Sequence, residues 1–400
     1  MSAARPSTAP MGLTPAMPPV IWALLFGNFV IGTGVMIVPA MLNELSASLS
    51  VSVPVAGQLI AYPSLLMCFA APILASWVAG WDRRRLLALT MVWYAAMHLV
   101  CALMPDFYSL LSLRVLAMLA PAIFTPQAAA CIGLLVPESQ RGKAISLVLL
   151  GWSVASVLGM PMGAWIGGHF GWRSAFVVVS LMGAVSAIWV WRAMPNGVKP
   201  PAFSLAAWRK TLQSKALMLC VAVTALCAGG QFILFSYLAP YYKASLGITP
   251  VQLSLVFMWF GAFGFIGNLW MSRNIDRLGA PKVAMLAIAL MAASFVLWPL
   301  GSNLAFAIAL CVPWALGCFS FNSAQQTRLV GIAPALASGS IALNSSAMYA
   351  GQAFGAAIGG WMIARGQMSA LHWAGLGGLA LAMVASWLAS IALKGNKPSI

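Results

Sequence analysis

From Pro19 to Lys394 the chain alternates long apolar runs with short polar interruptions. Each run has about 20 residues or more, the length a helix needs to cross a hydrocarbon core of roughly 30 Å. The pattern predicts twelve helices, α1 to α12, over 19–42, 55–78, 86–104, 109–135, 143–167, 174–194, 216–240, 252–272, 282–300, 304–327, 338–363 and 371–393. Most connections are very short. The longest internal one, 195–215, carries Lys199, Pro200, Pro201, Arg209 and Lys210, and separates a six-helix stretch at 19–194 from another at 216–394. Residues 1–18, rich in Pro, Ala and Ser, are expected to form a disordered cytoplasmic tail.

The two stretches repeat each other. At an offset of 197 residues, Ala47-Ser48-Leu49 falls on Ala244-Ser245-Leu246, Arg85 on Lys282, Pro137 on Pro334 and Gly142 on Gly339. Six crossings return a chain to its starting side, so the repeats are parallel, related by an axis along the membrane normal. Such a plan puts a solute site between the halves near the midplane. The expected fold class is an all-α polytopic membrane protein, with twelve transmembrane helices in two six-helix parallel repeats.

Within α5, Gly151, Ala155, Gly159, Gly163 and Gly167 fall at every fourth position, and α11 answers with Ala347, Gly351, Gly355 and Gly359 at an offset of 192. On a helix these positions share one face almost free of side chains, a pattern that lets membrane helices pack closely. Pro161 removes one backbone donor from α5 and is expected to bend it.

Composition fits a membrane-embedded chain: of 400 residues, 62% are hydrophobic and 6% charged. The net charge of +16 would suit nucleic acid, but its placement argues otherwise. With the helices as above, seventeen of the 21 Lys and Arg fall on one side and three on the other, with Arg114 inside a helix. That asymmetry puts both termini in the cytoplasm and makes the bilayer, not nucleic acid, the partner. All seven cysteines lie in apolar runs with no CxxC pair and no nearby His, so no metal site is expected, and no nucleotide-binding loop suggests a cofactor. No nucleophile–base pair points to an enzyme.

The chemistry-bearing residues are few. The five acids, Glu44, Asp82, Asp106, Glu138 and Asp276, all lie at helix ends or in loops. A proton relay ordinarily uses Asp, Glu or His at depth. Glu44 and Asp106, near the outer ends of α1 and α3, and His98 within α3 are the proton-coupling candidates; a solvated helix end and core packing are their plainer roles. Arg114 is expected to face a cavity or a partner, since a guanidinium at a helix centre costs about 2.5–3.5 kcal/mol to insert. Arg114 and Thr125 on α4, Asn322 and Gln325 on α10, Thr224 and Gln231 on α7, and Asn28 and Thr33 on α1 form the candidate substrate cavity, with interhelical hydrogen bonding as their other reading.

Residues 79–87, AGWDRRRLL, 273–279, RNIDRLG, 137–144, PESQRGKA, 235–247, FSYLAPYYKASLG, GMPMG at 159–163 and Arg114 on α4 together resemble the major facilitator superfamily, in particular its twelve-helix drug:proton antiporters of the arabinose-efflux-like type. The chain departs from that pattern at Ala79, Asp82, Met118 and Pro121. The resemblance implies gating loops at Asp82, Arg83, Arg84 and Arg85 and at Asp276 and Arg277, and an antiporter signature around Pro161. It implies a secondary transporter of a bacterial inner membrane, monomeric, exporting a small organic solute, drug or metabolite, by alternating access in exchange for protons. A proton-independent facilitator or importer, and a non-transporting membrane sensor, are the alternatives.

Overall fold

The computed structural model describes residues 17–78, 80–137, 140–199 and 205–395. All but the last two residues of the expected tail, with Ala79, Glu138, Pro200 and Pro201, lie outside them.

The helices are α1 Pro19–Ala40, α2 Gln58–Trp77, α3 Arg83–Leu103, α4 Phe107–Ala117 with Leu119–Leu135, α5 Arg141–Val154 with Met160–Phe170, and α6 Trp172–Ala193. They continue as α7 Lys215–Phe235 with Leu238–Leu246, α8 Pro250–Leu278, α9 Ala280–Leu297, α10 Leu304–Ile332, α11 Ala337–Ala364 and α12 Leu371–Gly395. Short helices follow α1 (Leu42–Ser48) and lead into α2 (Val53–Ala56), and the linker forms one more at Leu205–Gln213. Among the described residues, eleven spans are long and apolar enough to cross a membrane. α11 is the exception. Its 28 residues suffice in length, but it carries Asn344, Ser346 and Gln352. All three are buried, so the polarity that lowers its hydropathy is turned inward.

Prolines explain where the helices break. A proline cannot donate to the carbonyl four residues back, and its ring crowds that carbonyl. α4 is interrupted at Met118, three residues before Pro121. α7 breaks over Ser236 and Tyr237, just before Pro240. α5 answers Pro161 with a π turn, Ala155–Gly159, and then runs on. Helix starts are capped by side chains: Asp82 for α3, Asp106 for α4, Asn303 for α10, and a reciprocal Thr249–Gln252 pair for α8. The second expected loop motif, 273–279, is helical: nothing stops α8 before Gly279, whose φ of 85° ends it.

The same helix pairs pack in both halves. α1 lies on α5 and α6, as α7 lies on α11 and α12; α3 packs on α6, as α9 packs on α12. Contacts between the halves run through α2 with α11 and α5 with α8. The glycine stripes serve the packing inside each half. A Cβ at Gly159, Gly163 or Gly167 would press on Thr33, Ile37 or Met41 of α1, and one at Gly151 would meet the α1 backbone. On α11, Gly351, Gly355 and Gly359 take the same places against Ala225 to Tyr237 of α7. Outward surfaces are apolar and rich in aromatics, with Trp77, Trp189, Trp259, Trp361 and Trp387 all exposed, as lipid-facing helices require.

Candidate functional site

In each half a polar network ties three helices together, on equivalent helices of the two repeats. In the first, the Thr125 hydroxyl of α4 donates to Asn28 Oδ1 of α1 at 2.7 Å and accepts from Trp152 Nε1 of α5 at 3.2 Å. In the second, the Thr224 hydroxyl of α7 donates to Asn344 Oδ1 of α11 at 2.6 Å, and Asn344 Nδ2 donates to Asn322 Oδ1 of α10 at 3.2 Å. The members correspond: Thr125 and Asn322 differ by 197 residues, Trp152 and Asn344 by 192, and Asn28 and Thr224 by 196. Buried polar groups in a dry interior must be paired, so a network on the same three helices in both repeats fixes their mutual positions.

Within these networks Asn28, Thr224 and Asn344 are sealed, whereas Thr125 and Asn322 are half-buried. One lone pair of the Thr125 hydroxyl and the amide hydrogens of Asn322 are left over from the bonds above. The pair thus offers an acceptor and a donor, without formal charge, on equivalent helices. Trp152 and Asn344 escaped the sequence reading, although the stripe offset of 192 already pairs them.

The rest of the expected cavity set is packed away. Gln325 Nε2 donates to the Cys220 carbonyl at 2.9 Å and to Thr224 at 3.2 Å, and is fully buried. Gln231 Oε1 faces Trp314 Nε1 at 3.5 Å. Thr33 lies sealed under Gly159, and its hydroxyl has no partner. Gln325 and Gln231 thus make contacts between helices, the other reading given for this set, and Thr33 is packed between α1 and α5.

Of the two expectations for Arg114, a cavity or a partner, the structure shows partners. Its guanidinium is 2% exposed and faces α1, not open space. Nη2 donates to the Gly34 carbonyl at 2.7 Å and lies 3.4 Å from that of Val35. Val35 stands four residues before Pro39, which cannot donate to it. The cation covers backbone oxygen that the proline exposes. Nη1 approaches His98 Nε2 at 3.2 Å, while His98 Nδ1 lies 2.9 Å from the Tyr94 carbonyl. A carbonyl only accepts and a guanidinium only donates, so the imidazole carries its hydrogen on Nδ1. With both nitrogens engaged and no exposure, His98 joins the Arg114 guanidinium of α4 to the α3 backbone, the packing role that is its plainer reading.

The acids part company. Asp106 caps α4, accepting from the amides of Tyr108 at 2.9 Å and Ser109 at 3.0 Å. The Ser109 hydroxyl and these amides hold its carboxyl below the usual carboxylate range. Glu44 differs. One of its oxygens is buried without a partner, and burial raises its pKa against the pull of its own backbone and of Lys243. It lines an open hollow of about 540 Å³ together with Ser48, Gly168, Trp172 and Arg173.

At the basic face, Asp82 accepts from the Gly197 amide at 2.6 Å, and burial, which pushes its carboxyl up, is outweighed by the Gly197, Arg85 and Arg84 amides. Arg83 donates to the Val78 and Trp81 carbonyls, and Arg84 to Trp191 and Asn196. These bonds tie the α2–α3 loop to the end of α6. Arg85 is exposed, while Asp276 and Arg277 ride in the last turns of α8. Among the described residues no cluster of His, Cys, Asp or Glu could hold a metal ion.

Two matched half-bundles, each with an internal polar network at the equivalent place, make the architecture of a secondary transporter. The profile of the Major Facilitator Superfamily matches residues 24–341 and again 221–399, and the chain belongs to that family. It is accordingly a multi-pass membrane transporter of small molecules and not an enzyme. It is 30% identical over 301 residues to the chloramphenicol resistance protein of Streptomyces lividans, covering 70% of this chain and 77% of that one. It is 29% identical over 283 residues to the purine ribonucleoside efflux pump NepI of Salmonella typhimurium, covering 69% and 70%. Its fold matches the crystal structure of a bacterial homolog of the human lysosomal transporter Spinster, inward-facing and unoccupied, with a TM-score of 0.69, 19% identity, and coverage of 95% and 96%.

Proposed function

We propose that the protein exports small uncharged solutes across a bacterial inner membrane in exchange for protons, binding them between Thr125 and Asn322. The observation that carries this reading is the pair of equivalent networks that leave a neutral acceptor and a neutral donor half-exposed. With Arg114 sealed against α1, attraction of anions by that residue falls away. Chloramphenicol and purine ribonucleosides, the compounds named for two relatives, are uncharged and rich in hydrogen-bonding groups. Counterflow of radiolabelled chloramphenicol and of a purine ribonucleoside into proteoliposomes tests the reading. Thr125→Val and Asn322→Leu are each expected to lower exchange about tenfold, the cost of one unmade hydrogen bond of about 1–1.5 kcal/mol. Unchanged exchange in both variants would remove the site from this place.

The proton is assigned to Glu44. A carboxyl whose pKa is raised holds its proton to a higher pH than an ordinary glutamate. Transport is therefore expected to lose its coupled component as pH rises through an inflection above the usual carboxylate range, and Glu44→Gln should abolish that inflection. An unaltered pH profile in Glu44→Gln would transfer the proton to water or substrate.

The basic face is the cytoplasmic one in this reading, and both termini lie there. Arg85→Cys should react with an impermeant maleimide in inside-out vesicles and resist it in intact cells. Labelling from outside would invert the topology.

A further inference from the structure

We infer that Tyr237 is the latch of the gate on the face opposite the basic loops, seated in a socket of three glycines contributed by both halves. The inference rests on the alternating-access reading above. It draws on Gly57 and Gly168, which face residues of the other half, and on Gly360, which stands beside Tyr237 and Pro54.

Tyr237 sits at the break in α7, where Pro240 stops the helix from running straight on. Its ring is turned inward and 1% exposed. The hydroxyl donates to the Ala356 carbonyl of α11 at 2.8 Å, so the side chain is anchored in its own half. A Cβ added at Gly359 would stand 2.8 Å from the ring, and one at Gly360 2.6 Å from the hydroxyl. The third wall comes from the other half. A Cβ at Gly57, between the lead-in turn and α2, would overlap the Tyr237 hydroxyl and lie 2.6 Å from Cζ. Any side chain at Gly57 would therefore occupy the space that the phenol fills.

A second contact closes the same face at the equivalent place. Gly168 near the end of α5 meets Pro250 at the start of α8, and a Cβ there would overlap the proline ring. Gly168 and Gly360 differ by the stripe offset of 192 residues, and Pro54 and Pro250 by 196. A Cβ at Gly360 would lie 3.5 Å from the Pro54 carbonyl. In both halves, the second glycine of a Gly-Gly pair thus meets the proline that opens the other half's second helix. Only one of the two contacts is filled by a tyrosine.

Opening this face requires the halves to separate there, and the phenol must leave Gly57 while it stays on Ala356. Packed interfaces of this kind switch between discrete arrangements and do not stretch continuously. Losing the ring, or filling its socket, shifts the population toward the open state.

Pulsed electron resonance between spin labels at Ser48→Cys and Ser302→Cys tests this on the full chain. Both sites are exposed, one in each half, and Cys68, the only native cysteine with partial exposure, is replaced by alanine. Without any solute, the parent should give one short distance. Tyr237→Ala and Gly57→Leu should each raise a longer-distance population severalfold. Tyr237→Phe, which keeps the ring and loses only the Ala356 bond, should raise it less, and Gly377→Ala, with open space around it, not at all. Distances in Tyr237→Ala that match the parent overturn the latch, and that variant adds no atoms to the core, so the test stands if Gly57→Leu does not fold. Opened distances in Tyr237→Ala together with no solute counterflow by the parent would sink the transport reading and leave the latch.

Discussion

Gly355→Leu is expected to abolish transport, with Gly159→Leu close behind. At Gly355 a Cβ would stand 2.5 Å from the Gly229 carbonyl oxygen and 3.0 Å from the Ile233 nitrogen, both backbone atoms of α7. Backbone cannot rotate aside as a side chain can, so the helices must part. Overpacking of a well-filled interior costs about 1–3 kcal/mol even where side chains can adjust, and here the geometry of the Thr224–Asn344–Asn322 network is lost with it. At Gly159 the obstruction is the Thr33 side chain, whose hydroxyl makes no bond to give up, so that variant should retain traces of exchange. Counterflow and thermal unfolding of purified protein decide the matter. Full exchange in both variants would make the stripes incidental.

Arg114→Ala should be as damaging, through a different route. The substitution strips the partner from His98 Nε2, removes the second donor of the Gly34 carbonyl, and leaves the Val35 oxygen freed by Pro39 bare in a dry interior. Each buried acceptor left unmade costs about 1–3 kcal/mol, so the sum is on the order of 3–5 kcal/mol and should show as a lower melting temperature as well as lost transport. Arg114→Lys carries its donors on one ammonium instead of a planar fork and can reach one side of this arrangement at a time. It should recover part of the stability. An alanine variant that melts and transports like the parent would mean that Pro39 is accommodated without the cation.

Much of the architecture is visible in the pattern of residues. A run of about 20 apolar positions admits few structures in a bilayer, and the offset of 197 carries the repeat. The stripes announce close helix approach, but a bare face does not say which helix covers it; α1 and α7 do. Arg114 shows the same limit. A lone cation inside a helix demands a partner, and a water-filled cavity and a set of backbone carbonyls both meet that demand. Pro39 was the signal for the second, because it leaves a carbonyl four residues back without a donor. Asp106 was readable as a cap, since it immediately precedes α4 with Ser109 three residues on. Asn344 was hidden in the least apolar helix, and only the stripe offset connects it to Trp152.

Exchange of a neutral solute for protons should be visible as proton movement in proteoliposomes. Protein is reconstituted with a pH-sensitive dye inside, and chloramphenicol or a purine ribonucleoside is added to one side. Solute-dependent proton flux is expected in the parent, and in Glu44→Gln exchange of solute without proton flux. Solute movement in the parent with no change in internal pH would contradict proton exchange and make the protein a facilitator.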